Sequence, residues 1–127
     1  MKVIIAGGRD YVFTERDAED LDRLHALIGI TEVVEGEAPG ADLAGKAWAL
    51  ERGLPVKPFP ADWEKYKQPG RKNPAGAIRN EQMAQYVGMF GAAVLFPGGP
   101  GTENMYKAAK RHGLQIFDWR TEPRRFP

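Results

Sequence analysis

The sequence predicts an α/β fold with one domain, a three-layer sandwich in which a parallel five-stranded sheet carries helices on both faces. Short apolar segments alternate along the chain with segments of helical periodicity. Several apolar segments are continuous, which is typical of strands covered on both sides. The 127 residues suffice for one domain with a real core. The predicted strands are residues 3–6, 31–35, 54–60, 92–96 and 114–119.

The first two strand–helix units have clear signals at their ends. The β-branched strand 3–6 precedes a helix that begins with a capping-box pattern at Thr14 and ends at Gly29. The strand over residues 31–35 leads to a helix over 41–52, whose leucines and alanines form an apolar side.

The third strand and the segment after it have unusual compositions. Residues 54–60 contain three prolines, which cannot donate to a ladder, so this strand belongs at a sheet edge. Residues 61–72 are irregular, and loops of this length tend to be functional or mobile. Trp63 and Tyr66 could make a lid that stacks a base and attracts phosphates, or could simply anchor a solvated loop. The basic residues of this lid are Lys65, Lys67, Arg71 and Lys72.

Two further units complete the sheet. The domain is predicted to span residues 1–119, and residues 120–127 are a short polar tail without a fold signal. Asn73 is the predicted cap of the third helix. The remaining predicted elements are a helix over residues 74–87, a strand over 92–96, a helix over 102–112 and a strand over 114–119.

The composition of the strands also predicts their order. The proline-bearing third strand needs an edge and the apolar first and fourth strands need the middle, which gives 3-2-1-4-5 with right-handed crossovers, a half-Rossmann arrangement. Ligands of such sheets bind beyond the carboxyl ends, at the switch point between strands one and four. Two glycine-rich turns would face each other there. They are Gly7-Gly8-Arg9-Asp10 and Pro97-Gly98-Gly99-Pro100-Gly101-Thr102.

The second of these turns predicts an anion site. Gly98, Gly99 and Gly101 let the backbone approach a ligand, and the helix predicted to begin at Thr102 offers free N–H groups and a favourable dipole. A sharp loop without a ligand is the alternative. Neither turn matches the dinucleotide fingerprint, and Glu35 only weakly imitates its ribose acceptor; a P-loop pattern is also lacking.

Four motifs carry a resemblance to a known group. They are Gly7-Gly8-Arg9-Asp10, Pro39-Gly40-Ala41-Asp42, Ala77-Ile78-Arg79-Asn80 with Met83, and Pro97-Gly98-Gly99-Pro100-Gly101-Thr102. In this order they resemble the SLOG superfamily, and most closely its small YspA/YpsA-related branch. The resemblance implies a Rossmann-like domain that binds a nucleotide or nucleotide-derived ligand. It also implies a homo-oligomer, a dimer or a larger assembly.

The best-known relatives implied by this resemblance, the "lonely guy" enzymes, cleave the N-glycosidic bond of cytokinin nucleotide monophosphates. Their motif is P-G-G-x-G-T-x-x-E, and the position of its glutamate is Met105 in this chain. Cleavage through a cation-like transition state needs a well-placed carboxylate. The nearest acids, Asp42 and Glu103, are therefore the candidate catalytic residues. The sequence favours binding over hydrolysis and leaves an enzyme open.

Most of the candidate ligand residues have a structural alternative. Arg79 could contact a phosphate in a bidentate manner or be a solvated helix arginine. Asp42 could cap the second helix or face the ligand, and Thr102 could cap the fourth helix beside the anion. Asp10 could accept from a ribose hydroxyl or stabilise its turn. The full candidate set is Gly7, Gly8, Arg9, Asp10, Gly40, Asp42, Arg79, Asn80, Gly98, Gly99, Gly101 and Thr102.

The composition of the chain argues against several classes of function. The net charge of +1 argues against nucleic acid, so single-stranded DNA binding is the least favoured function. The absence of cysteine excludes thiolate catalysis and zinc–thiolate sites, and no His or carboxylate spacing indicates a metal. No apolar run approaches the length of a signal peptide or a membrane span, so we expect a cytoplasmic protein without a membrane partner. No cofactor is indicated beyond the nucleotide itself.

Overall fold

The computed structural model describes all 127 residues, and its sheet has the predicted order. Five parallel strands are arranged as 3-2-1-4-5, which confirms the Rossmann-like sandwich. The strands are β1 (Lys2–Ala6), β2 (Glu32–Glu35), β3 (Val56–Pro58), β4 (Ala92–Leu95) and β5 (Gln115–Asp118). The helices are α1 (Glu15–Ile28), α2 (Ala41–Glu51), α3 (Ala75–Val87) and α4 (Pro100–Arg111).

Side chains alternate along the strands between two apolar cores, one on each face of the sheet. Val3 and Ile5 of β1 face the core under α1 and α2, whereas Ile4 faces the core under α3 and α4. Trp48 and Trp119 belong to the first core and are nearly fully buried.

The N-terminal capping residues of three helices differ from those that the sequence suggests, although α2 begins at residue 41 as predicted. Helix α4 begins at Pro100, a residue whose missing N–H is tolerated in a first turn, so Thr102 lies inside the helix and does not cap it. Asp42 likewise lies inside α2 and is not its cap, because Gly40 occupies that position with a φ of 81°. Pro74 immediately precedes α3, although the Asn73 side chain still accepts a hydrogen bond from the Ala75 amide at 3.0 Å.

The last eight residues pack against the domain, although they carry no fold signal in the sequence. The indole of Trp119 donates to the carbonyl oxygen of Arg125 at 3.0 Å, and the Phe126 ring packs on Trp119. The Arg124 guanidinium pairs with Asp17 at 2.6 Å and with Asp20 at 2.9 Å. The tail therefore completes the core beside α1.

None of the four helices has the length and the apolar character that crossing a membrane requires.

Candidate functional site

The two glycine-rich turns meet at the carboxyl edge of the sheet, as predicted. The amide of Gly8 donates to the carbonyl oxygen of Pro97 at 2.8 Å. A Cβ atom on Gly8 would lie 3.1 Å from the Gly98 Cα, and one on Gly40 would overlap the backbone of Gly8 and Arg9. The loops after β1 and β4 and the start of α2 thus pack backbone against backbone, which only glycine allows.

The loop after β4 presents unused hydrogen-bond donors. The amides of Gly98, Gly99 and Gly101 take part in none of the hydrogen bonds within the chain. The Thr102 hydroxyl also makes no hydrogen bond, although Thr102 is only 5% exposed, and it points at Gly98, where a Cβ atom would overlap it. Open space surrounds Gly99 and Gly101. Free amides at a helix N-terminus form an anion-binding arrangement.

Arg79 reaches this edge of the sheet from α3. Its Nη1 atom donates to the carbonyl oxygen of Gly36 at 2.6 Å and its Nε atom donates to the Asn80 side chain at 3.0 Å. Its Nη2 atom has no hydrogen-bond partner. Burial lowers the pKa of the guanidinium from its ordinary value, while Asp42 and Glu35 act in the opposite direction. Arg79 is therefore not the solvated helix arginine of the alternative interpretation.

Asn80 lies below the surface and connects Arg79 to the glycine loop. Its Nδ2 atom donates to Asn104 at 3.0 Å and to the Gly101 carbonyl oxygen at 3.3 Å, while its Oδ1 atom accepts from Arg79. It is 5% exposed. The geometry gives Asn80 the role of positioning its neighbours.

Asp42 holds the loops after β1 and β2 against α2. Its carboxylate accepts from the Ala38 amide at 3.4 Å. Burial raises the pKa of Asp42 to about 6, although Arg79 and the amides of Ala38, Gly36 and Gly7 lower it. The buried carboxylate therefore helps to hold the loop after β2 against α2.

Glu35 is a buried acid behind the site and is not among the candidate residues that the sequence predicts. Its side chain at the end of β2 is fully buried. One carboxylate oxygen accepts from the Glu37 amide at 2.8 Å, and the other has no partner. Burial raises the pKa of Glu35 to about 7. The available signal was its position, because an acidic residue that ends an inner strand of a parallel sheet lies at the ligand-binding edge.

Two adjoining cavities flank Arg79 and Pro60. The first, of about 130 Å³, is lined by Arg9, Trp63 and the loop after β2. The second, of about 140 Å³, is lined by Tyr66, Lys65 and α3. The lid residues Trp63, Tyr66 and Lys65 therefore border the site, whereas Lys67, Arg71 and Lys72 border neither cavity.

Three residues discussed above do not form part of a catalytic arrangement in the structure. Glu103 forms an ion pair with Arg120 at 2.8 Å. Asp10 is exposed and makes no hydrogen bond through its side chain. Met105 is 1% exposed and packs in the core beneath α4. Neither Glu103 nor Met105 therefore supplies a free carboxylate beside the glycine loop.

Comparison with protein families gives one match. The family model described as the YspA, cpYpsA-related SLOG family matches residues 1–66, slightly more than half of the chain. The matched residues run from β1 past β3 into the lid and end before α3 and the glycine loop. Comparisons with curated proteins and with solved structures gave no match.

Proposed function

The chain belongs to the YspA, cpYpsA-related SLOG family, and from this premise we propose that it binds a nucleotide or nucleotide-derived ligand at the carboxyl edge of its sheet. Membership of this family suggests a nucleotide-related function. The observation that carries the proposal is the set of free amides at Gly98, Gly99 and Gly101, beside the unpartnered Thr102 hydroxyl. Together they would hold a phosphate group at the N-terminus of α4.

The nucleoside would lie toward the lid. The Trp63 side chain is 48% exposed and lines the same cavity as Arg9 and Arg79, so part of the indole would be available for stacking. Stacking of a base on an aromatic ring contributes about 1–3 kcal/mol and tolerates different bases. The hydrogen bond from the Asn73 side chain to the Trp63 carbonyl oxygen, at 2.7 Å, fixes this part of the lid to the start of α3.

The N-glycosidase alternative has weaker support in the geometry. Both candidate catalysts have other partners, Asp42 with backbone amides and Glu103 with Arg120. This activity would release a free base from a nucleoside monophosphate, and Asp42→Asn or Glu103→Gln would abolish the release. Chromatography of the reaction mixture tests it directly. Single-stranded DNA binding has still less support, because the net charge is +1.

Binding is tested by thermal shift against a panel of mono-, di- and cyclic nucleotides with ADP-ribose and NAD. We expect at least one of them to raise the melting temperature. The informative variant is Gly101→Asp, because its side chain enters open space at the N-terminus of α4 and repels an anion there. We expect a loss of affinity of about tenfold or more, while the unliganded protein keeps its stability because an acidic residue suits the first turn of a helix.

Gly101→Ala is the matched control, since it adds a side chain at the same position without a charge. It should bind the ligand nearly as the wild type does. No response to any compound of the panel would refute the proposed function. Equal affinity of the wild type and Gly101→Asp would show that the phosphate group of the ligand does not bind at this loop.

A further inference from the structure

We infer, on the basis of the proposed function, that the ligand carries a second anionic group, which Arg9 and Arg79 bind in the cavity that both of them line. The ligand class is a nucleotide with a diphosphate group, either a nucleoside diphosphate or a diphosphate-bridged derivative. One phosphate lies on the amides of the glycine loop and the next lies between the two guanidinium groups.

The two arginines are the first argument. Both line the cavity of about 130 Å³, and neither has a carboxylate partner. Arg79 uses Nη1 and Nε on the neutral oxygens of Gly36 and Asn80, which leaves Nη2 free. Arg9 is exposed and makes no ion pair. Two guanidinium groups around one cavity repel each other, and a bound anion removes that repulsion.

The surrounding charges support this assignment. Glu37 is the acidic residue in the lining of this cavity, and Lys46 already neutralises it at 2.9 Å. Asp42 and Glu35 lie buried behind the loop after β2. Five of the other arginines, Arg16, Arg52, Arg111, Arg120 and Arg124, contact carboxylates, whereas Arg23, Arg71 and Arg125 form no ion pair and line neither cavity. The cavity thus keeps net positive charge for an anion from outside.

The connection between the two anion positions is the second argument. Asn80 accepts from Arg79 and donates to the carbonyl oxygen of Gly101, so one side chain links the guanidinium to the glycine loop. On the other side, Gly8 donates to Pro97, and Arg9 is the next residue along the chain. Because both positions share these short links, a single ligand with consecutive phosphates can reach both.

The test is calorimetric titration of AMP, ADP, GMP, GDP and ADP-ribose into the full chain, with a chelator present so that no divalent cation neutralises the phosphates. We expect a diphosphate compound to bind at least about tenfold more tightly than its monophosphate. Arg9→Gln should abolish this advantage, so that the mono- and diphosphate compounds bind this variant with similar affinity. Arg9 is exposed, so this variant should fold normally; Arg79→Lys serves as a second variant that keeps the charge and loses the fork-shaped donor set.

Arg71→Gln is the control, because Arg71 is an exposed arginine of the lid that lines neither cavity. Equal affinities for mono- and diphosphates, or a diphosphate advantage that survives in Arg9→Gln, would overturn the inference and leave the proposed function standing. The same conclusion would follow if AMP with free phosphate bound as tightly as ADP. Absence of binding by every compound of this set and of the thermal-shift panel would overturn both.

Discussion

Arg124 and Arg79 both lie among buried acids, but they meet these acids in different ways. Arg124 contacts carboxylates directly, with Asp17 at 2.6 Å and Asp20 at 2.9 Å. Arg79 instead donates to a backbone carbonyl oxygen and a neutral amide, and forms no ion pair with the nearby Asp42 or Glu35.

The pKa values of the acids follow this difference. Burial raises the pKa of Asp17, but the Thr14 amide, Arg124 and Tyr11 outweigh burial, and the net shift is downward. Burial raises the pKa of Glu35 to about 7, and no direct cation contact offsets it. The carboxylates that contact Arg124 neutralise its charge, and the ion pairs stabilise the fold. Indirect pairing at Arg79 keeps part of the guanidinium free for a ligand.

The largest effect should come from Arg124→Ala. This change leaves Asp17, whose side chain is 1% exposed, without its cation, and it removes the contact that fastens the tail. Breaking a buried ion pair from one side costs about 3 kcal/mol of unfolding free energy. Chemical denaturation at pH 7 measures this loss. Arg125→Ala, at the exposed neighbouring position, should change stability little, and equal losses in the two variants would refute the role given to Arg124.

A smaller effect, dependent on pH, should come from Glu35→Gln. The pKa of Glu35 is raised on folding, so its contribution to stability is full below pH 4.5 and is lost as the pH rises through about 7. The wild type should therefore lose roughly 2 kcal/mol more than Glu35→Gln between pH 5 and pH 8.

Denaturation curves of both proteins at the two pH values give this difference. The contribution of Asp42 has the same sign and should shrink in Glu35→Gln, because the negative charge that interacts with the Asp42 carboxylate is gone. Parallel pH profiles would show that Glu35 is not the titrating group.

The smallest effects should distinguish the residues around Arg124 from the residues around Arg79, which we call the Arg124 cluster and the Arg79 cluster. Asn80→Ala removes the amide that orients Arg79, and Tyr11→Phe removes the hydroxyl that donates to Asp17 at 2.9 Å. Each should cost about 1 kcal/mol of stability, the typical contribution of such hydrogen bonds. Only Asn80→Ala should also weaken nucleotide binding in a titration. A matching loss of affinity in Tyr11→Phe would contradict the separation of the two clusters.

Local sequence signals predicted the fold well. The prolines placed β3 at the edge, the capping box at Thr14 and the left-handed Gly29 delimited α1, and the glycine turns met at the switch point. These features depend on a few neighbouring residues and on the general rules of parallel sheets.

The features that were missed depend on distant parts of the chain. Arg124 carries no signal in a polar tail, because its partner Asp20 lies 104 residues away in sequence. Glu35 resembles an ordinary strand-end residue until α2 and the following loop cover it. The hydrogen bonds of Asn80 to Asn104 and Gly101 also leave no sign in the sequence, because only the packing of α3 against α4 brings these residues near.

The position of Met105 has a consequence for anyone who would redesign this scaffold as a glycosidase. In the enzymes that the glycine loop resembles, this position is the glutamate. Here the side chain is embedded with Met83 and Ala108 in the apolar layer below α4. A carboxylate introduced at this single position would be buried among apolar side chains without a cation to pair with. Installing the acid would therefore require remodelling a whole face of α4 together with the side chains that pack beneath it.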